Sequence, residues 1–217
     1  MDFFARVESL RERSNVLEHS FYQRWSDGSL EREELAFYAG EYRHAVCALS
    51  EAVGGAAAAA EEGPVRAQLA EHAAEEAEHV ELWDQFARAL DADTDRPPRP
   101  ETSACAESWT AGGDALEGLV VAYTIESGQP AISQTKLDGL IGRYGFEEGP
   151  ATEYFALHAE RDHEHAAQSR ELIEERLADA DLDRLLEVAE GVLKGNWELL
   201  DGVERQFGRS APDRTLY

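Results

Sequence analysis

One stretch of eight residues carries three side chains that could hold a metal ion together. In His158-Ala-Glu-Arg-Asp162-His-Glu-His165, the outer histidines and Asp162 fall at i, i+4 and i+7. On a helix, 3.6 residues per turn stacks these three on one face. Two imidazoles and a carboxylate are donors suited to iron or manganese. A second stretch repeats the idea: His72, Glu75 and His79 sit at i, i+3 and i+7, with Glu76 on the edge of the same face. Glu126 ends the apolar run Leu119-Val-Val-Ala-Tyr-Thr-Ile-Glu126. A lone acid in such company is expensive to bury unless it is paired or binds a metal. Its natural role is a bridging carboxylate. Two ligand-bearing helices face to face, plus that carboxylate, would enclose a two-metal site. Histidines on charged helices can also be merely solvated, and that accounts for His163 and His44. It accounts less well for His158, Asp162 and His165, which share their face with Phe155.

The elements that must position these residues read as helices throughout, so the fold class is all-α. Residues 2 to about 24 carry Phe3, Phe4, Val7, Leu10, Val16, Leu17 and Phe21 at helical spacing. Asp27-Gly28 is a turn. A second helix covers 31–53, with Leu35, Tyr38, Tyr42, Val46 and Leu49 on one stripe. A third starts at Gly63-Pro64 and runs to about Leu90. Residues 91–112, rich in proline and aspartate, read as a loop crossing between two halves of one domain, 1–217. Helices then cover about 113–127, about 129–143, 151–178 and 181–206, and the tail from Gly208 is expected to be loose or pinned locally.

Composition narrows the setting. The formal net charge is −25, from 45 acidic against 20 basic residues, with Lys136 and Lys194 the only lysines. That balance makes nucleic acid and anionic membranes poor partners. It fits a solvated acidic surface, adaptation to high salt, or the arginine bias of a high-GC genome. No run of about 18 apolar residues spans a membrane, and the first residues lack the order of a signal peptide. A cytoplasmic location is expected. The two cysteines, Cys47 and Cys105, read as reduced structural thiols.

The candidate ligands stand in a longer pattern: Phe21-Tyr22-x-x-Trp25-x-x-Gly28-x-Leu30, Leu35-x-x-Tyr38, His79-Val-Glu-Leu-Trp83, Tyr123-x-x-Glu126-x-x-Gln129-Pro130, Lys136, Gly139-Leu140, Tyr144-Gly145 and Tyr154-Phe155-x-x-His158. Over about residues 15–175 this resembles the heme-oxygenase-like superfamily, in its diiron oxidase branch beside the TenA and PqqC proteins. Within that branch it is most similar to the chlamydial CADD-like members. The resemblance implies a seven-helix bundle, two Fe ions (or Fe/Mn), O2 as co-substrate, an external reductant and a homodimer. It carries over His79, Glu126, His158, Asp162 and His165 as ligands. The family's remaining helix-three ligand is usually a glutamate seven residues before the histidine. That position is His72 here, with Glu75 and Glu76 as alternatives.

CADD-like members are associated with making p-aminobenzoate, a folate precursor, from a tyrosine of their own chain, with a lysine as amine source. Tyr22, Tyr38 and Lys136 match those positions, and Tyr22, Tyr38, Tyr123 and Trp25 are candidate pocket residues. Otherwise the substrate would be a small amine, amino acid or fatty acid. A rival reading is a TenA/PqqC-like protein acting on a thiamin- or quinone-related molecule without a dimetal role. TenA-type hydrolysis calls for a cysteine nucleophile, and neither Cys47 nor Cys105 is obviously placed for it. A third reading is a metal-binding protein without catalysis.

Overall fold

The computed structural model describes residues 2–209. Among them it contains nine α-helices, two short 3-10 turns and no strand. The helices are α1 Phe3–Arg13, α2 Ser20–Asp27, α3 Arg32–Ala59, α4 Pro64–Ala89, α5 Pro100–Thr110, α6 Ala115–Glu126, α7 Gln129–Gly142, α8 Glu153–Glu174 and α9 Leu182–Gln206. No helix among the described residues is long and apolar enough to cross a membrane. The tail expected beyond Gly208 falls mainly on 210–217, outside the described residues.

The helix expected over 2–24 is two helices. Between them the Asn15 side chain accepts from the Leu17 N–H at 3.1 Å, and His19 Nδ1 accepts from the Phe21 N–H at 3.1 Å. Such local side-chain bonds offer the backbone an alternative to helix continuation. The loop expected over 91–112 contains α5. Pro100 sits in its first turn, where a missing N–H has no partner to lose. Buried Glu41 of α3 accepts from the Arg99 N–H at 3.0 Å and from the Thr102 hydroxyl, which pins α5 to the bundle. Helix α3 runs through Gly54-Gly55 to Ala59, because the surrounding alanines favour helix.

Three helices build the site. Helices α3 and α4 pack along each other, joined by residues 60–63, with Gly63 at φ +151°. Helix α6 lies against α3, α8 and α9. It is buried at Gly118–Ala122 and Thr124–Glu126, as expected of a helix apolar on all sides. A Cβ on Gly118 would lie 2.7 Å from that of Ala56, so this glycine permits the close approach of α3. Pro130 cannot continue the ladder, and its ring would clash with the carbonyl of Glu126. The chain therefore breaks just after Glu126 and restarts as α7.

Candidate metal centre

Helix α4 contributes His72, Glu76 and His79, α6 contributes Glu126 at its last position, and α8 contributes His158, Asp162 and His165. All seven are buried, Glu126 and Asp162 to 1% exposure. The donor atoms of six of them, all but Asp162, form two groups: His72, Glu76, Glu126 and His165, and Glu76, His79 and His158. Glu76 belongs to both. His72 Nε2 lies 2.7 Å from Glu126 Oε1, and His79 Nδ1 lies 3.0 Å from Glu76 Oε1. The rings of His72 and His165 are 4.3 Å apart, and those of His79 and His158 are 4.5 Å apart.

This donor set fits metal ions. Among the described residues, His158 Nε2, His165 Nδ1, Glu126 Oε2 and both Asp162 carboxylate oxygens are buried without a hydrogen-bond partner, and His72 Nε2 and Glu126 Oε1 stand 2.7 Å apart without the alignment of a hydrogen bond. Orphaned buried polar atoms are rare in native proteins and costly. Adjacent donors on one six-coordinate metal, at bonds of about 2.1 Å, stand about 3 Å apart, which is the spacing of the closest pairs here. The nitrogens turned away from the cluster are tied down. His158 Nδ1 donates to the Tyr154 carbonyl at 2.6 Å, and His165 Nε2 donates to Glu75 Oε2 at 3.0 Å. Such outer bonds fix the tautomer and leave the opposite lone pair for a metal.

Electrostatics agree. Burial, with the Glu76 carboxylate nearby, pushes Glu126 well above the usual carboxyl range. Burial with Glu126 and Glu76 pushes Asp162 to about 9. Burial, reinforced by His79, lowers His158 to about 4. Burial also lowers His72 and His165. For Glu76, burial pushes upward, but the His79 hydrogen bond and nearby histidines bring it below the usual value. A cation in the cluster would supply the positive charge that these buried carboxyls lack.

Of the expected donors, His72, His79, Glu126, His158 and His165 come together in these two groups; Asp162 is buried outside both, near enough to Glu126 and Glu76 to feel their charge. Glu75 does not: it stands at the rim, a third exposed, bonded to His165 and to Arg161 at 3.2 Å. Glu76 takes the inner position.

Beyond His158 lies a cluster of rings. Tyr22 and Tyr38 share a hydrogen bond of 3.1 Å between their hydroxyls. Lys136 is fully buried, and its Nζ has no hydrogen-bond partner among the described residues. That nitrogen lies 4.5 Å from the ring centroid of Tyr42 and 5.5–5.7 Å from those of Trp83, Phe155, Tyr38 and Tyr22. Burial lowers its pKa to about 7. Trp25 donates to the Lys136 carbonyl at 3.1 Å and packs on Tyr38. Tyr123 lies elsewhere, half-buried against Phe4, because it faces α1 rather than the cage. Tyr42, Trp83 and Tyr154 are the residues that sequence reasoning did not single out for the site. Tyr42 showed only as a residue of an apolar stripe, while Trp83 and Tyr154 stood in the motifs of the family resemblance without a role.

Comparison with known proteins follows the same lines. A sequence model of a family described as iron-containing redox enzymes matches residues 36–197. A 4-aminobenzoate synthase of Chlamydia muridarum is 29% identical over 212 residues, covering 93% of this chain and 89% of the relative. One from Chlamydia pneumoniae is 30% identical, covering 87% and 89%. One from Nitrosomonas europaea is 28% identical, covering 94% and 92%. Among solved structures, a TenA homologue of Pseudomonas syringae superposes with a TM-score of 0.80 at 16% identity, covering 94% of this chain and 91% of that one. A TenA homologue of P. horikoshii gives 0.72 at 21%, covering 94% and 99%. These two share the fold. By its sequence match, its bundle and its buried donor cluster, the chain belongs to the heme-oxygenase-like family of iron-containing redox enzymes.

Proposed function

We propose that the chain is a self-consuming p-aminobenzoate synthase. In this reading it binds two iron ions, or one iron and one manganese, uses O2 and an external reductant, and converts the ring of Tyr22, or of Tyr38, into p-aminobenzoate. Lys136 is the amine source, and the product serves folate synthesis. The single observation that carries this reading is the placement of Lys136: a buried amine with no ion-pair partner, caged by rings that include both tyrosines. Relatives bearing the name 4-aminobenzoate synthase support it.

His72, Glu126 and His165 would hold one ion and His79, His158 and Asp162 the other, with Glu76 shared. Bound there, the metals would supply O2 activation and oxidising power. The chain's own residues do the rest. Burial keeps both phenols protonated, since it raises Tyr22 and Tyr38 above the usual tyrosine range. Loss of an electron from a phenol is coupled to loss of its proton, and the hydrogen bond between the two hydroxyls, 3.1 Å long, is a link through which that proton can be passed on. Lys136, at about 7, keeps a free lone pair in much of the population at neutral pH. The ring cage excludes water that would otherwise compete with the amine. Cysteine-based hydrolysis finds no support here, because burial pushes the thiols of Cys105 and Cys47 upward, away from thiolate.

The test is to load the protein anaerobically with Fe(II), with and without Mn(II), then add O2 and reductant and measure p-aminobenzoate by mass spectrometry. The expected result is no more than one product molecule per chain. Product should vanish in Lys136→Met and in Tyr22→Phe or Tyr38→Phe, whichever ring is consumed. Many turnovers on an added substrate, with the chain's mass unchanged, would overturn the reading.

A further inference from the structure

The donor cluster is buried, so a metal ion must cross from solvent to reach it. Between α4 and α8 a vestibule of about 250 Å³ opens on one side of the cluster. Its floor is His72 and His165, nine-tenths buried, whose Nε2 and Nδ1 atoms make no hydrogen bond. Its rim carries Glu71, Glu75, Arg161 and Glu164. We infer that this vestibule is the port through which divalent metal ions pass to the donor cluster, drawn by Glu71 and Glu164 and slowed by Arg161. The inference rests on reading the cluster as a metal centre.

The chemistry of the rim selects the passenger. An apolar reactant gains nothing from three carboxylates, whereas a hydrated cation is concentrated by a mouth whose net charge is negative. Glu75 is committed: it accepts from His165 Nε2 at 3.0 Å and from Arg161 at 3.2 Å. Arg161, half-exposed, therefore cancels part of the rim's charge and stands beside the route. Gln68 reaches from α4 to Gln168 of α8 at 3.4 Å, a neutral bar across the opening. On the far side of the cluster, the ring of Tyr154 stacks on His158 and backs onto Trp83. The polar way in is thus on the α4–α8 face.

Binding kinetics test this with Co(II) as the probe, followed in stopped flow by its visible absorbance, and with release into excess EDTA. The double variant Glu71→Gln/Glu164→Gln should slow association on the order of tenfold at low ionic strength and flatten its salt dependence. Arg161→Gln should accelerate association. Gln68→Trp should slow association and release by the same factor and leave the dissociation constant within about twofold, since a port changes rates and not equilibria. Association rates that match the unaltered protein in all three variants, at unchanged Co(II) stoichiometry, would overturn the port. Failure of the unaltered protein to bind Co(II) would instead overturn the metal-centre reading beneath it.

Discussion

The imidazole of His158 stacks on the ring of Tyr154, centroids 4.0 Å apart at 27°, and also donates from Nδ1 to that residue's carbonyl. This contact joins the two halves of the site, metal donors on one side and rings on the other. From Tyr154 the path continues to Trp83 at 4.9 Å, to Tyr42 at 5.1 Å and to Tyr38 at 5.2 Å. Successive rings in van der Waals contact give the electronic overlap that a migrating oxidising equivalent needs.

Trp83→Leu should therefore separate the halves. Metal stoichiometry and O2 consumption should persist while p-aminobenzoate formation collapses, and Trp83→Phe should restore part of it. The leucine variant also loses about 2–4 kcal/mol of stability, since Trp83 is fully buried. Equal losses of O2 consumption and product would show that Trp83 matters only for packing.

Glu75 and Glu76 should separate by metal titration. Glu76→Gln removes the carboxylate common to both donor groups, and the number of metal ions bound per chain should fall. Glu75→Ala removes the outer bonds to His165 Nε2 and Arg161 but no donor of either group, and affinity should fall about 10–100-fold with stoichiometry unchanged. Elemental analysis and equilibrium titration read both.

That pair marks where the sequence stopped being legible. Residues advance 100° around a helix, so Glu75 and Glu76 fall about equally far to either side of the seam through His72 and His79. Which one is inside depends on where α6 stands relative to α4, and Glu126 of α6 is on the Glu76 side. No local pattern reports that placement. Long periodic helices such as α8 and α9 were readable, because their apolar faces repeat every turn. Helix α5 was not, because its neighbours Pro97, Pro98 and Pro100 read as loop and the bonds to Glu41 that hold it come from a distant helix. Tyr42 looked like an ordinary stripe residue and Trp83 like a motif residue without a role, and only packing brings both rings to Lys136.

Metal binding should release protons. Without metal, Asp162 sits at about 9 and is protonated at neutral pH, and burial beside Glu76 raises Glu126 well above the usual carboxyl range. His158, His72 and His165 are lowered and already neutral there. A dication needs the carboxylate forms, so its affinity should rise with pH up to about 9. Calorimetry in buffers of different ionisation enthalpy measures the proton count. Heats that do not depend on the buffer would contradict this assignment.

Stability should rise with salt. A formal charge of −25 on 217 residues repels itself across the surface. The screening length falls from about 10 Å at 0.1 M to about 3 Å at 1 M. Melting temperature should climb over that range in NaCl, and in KCl alike, because screening is not ion-specific. A flat or falling curve would mean that the surface ion pairs lost to screening outweigh the relief.

Lys136 gives the last prediction its sign. Its pKa is about 7 when folded, against about 10.4 in an unfolded chain. Between those values the unfolded chain holds a proton that the folded one lacks, so stability rises with pH from about 7 to about 10. The buried lysine therefore destabilises most below about 7, and the penalty fades toward its unfolded value. Attraction between the ammonium and the surrounding rings offsets part of it. Lys136→Met keeps the volume and removes the charge. It should stabilise the protein at pH 7 by on the order of 2–4 kcal/mol, and that gain should shrink as pH approaches 10. Denaturant melts of both proteins across this range measure the difference. A gain independent of pH would place the effect in packing rather than in charge. Loss of p-aminobenzoate in the same, more stable variant would show that the chain keeps an unfavourable amine in its core for the reaction it serves.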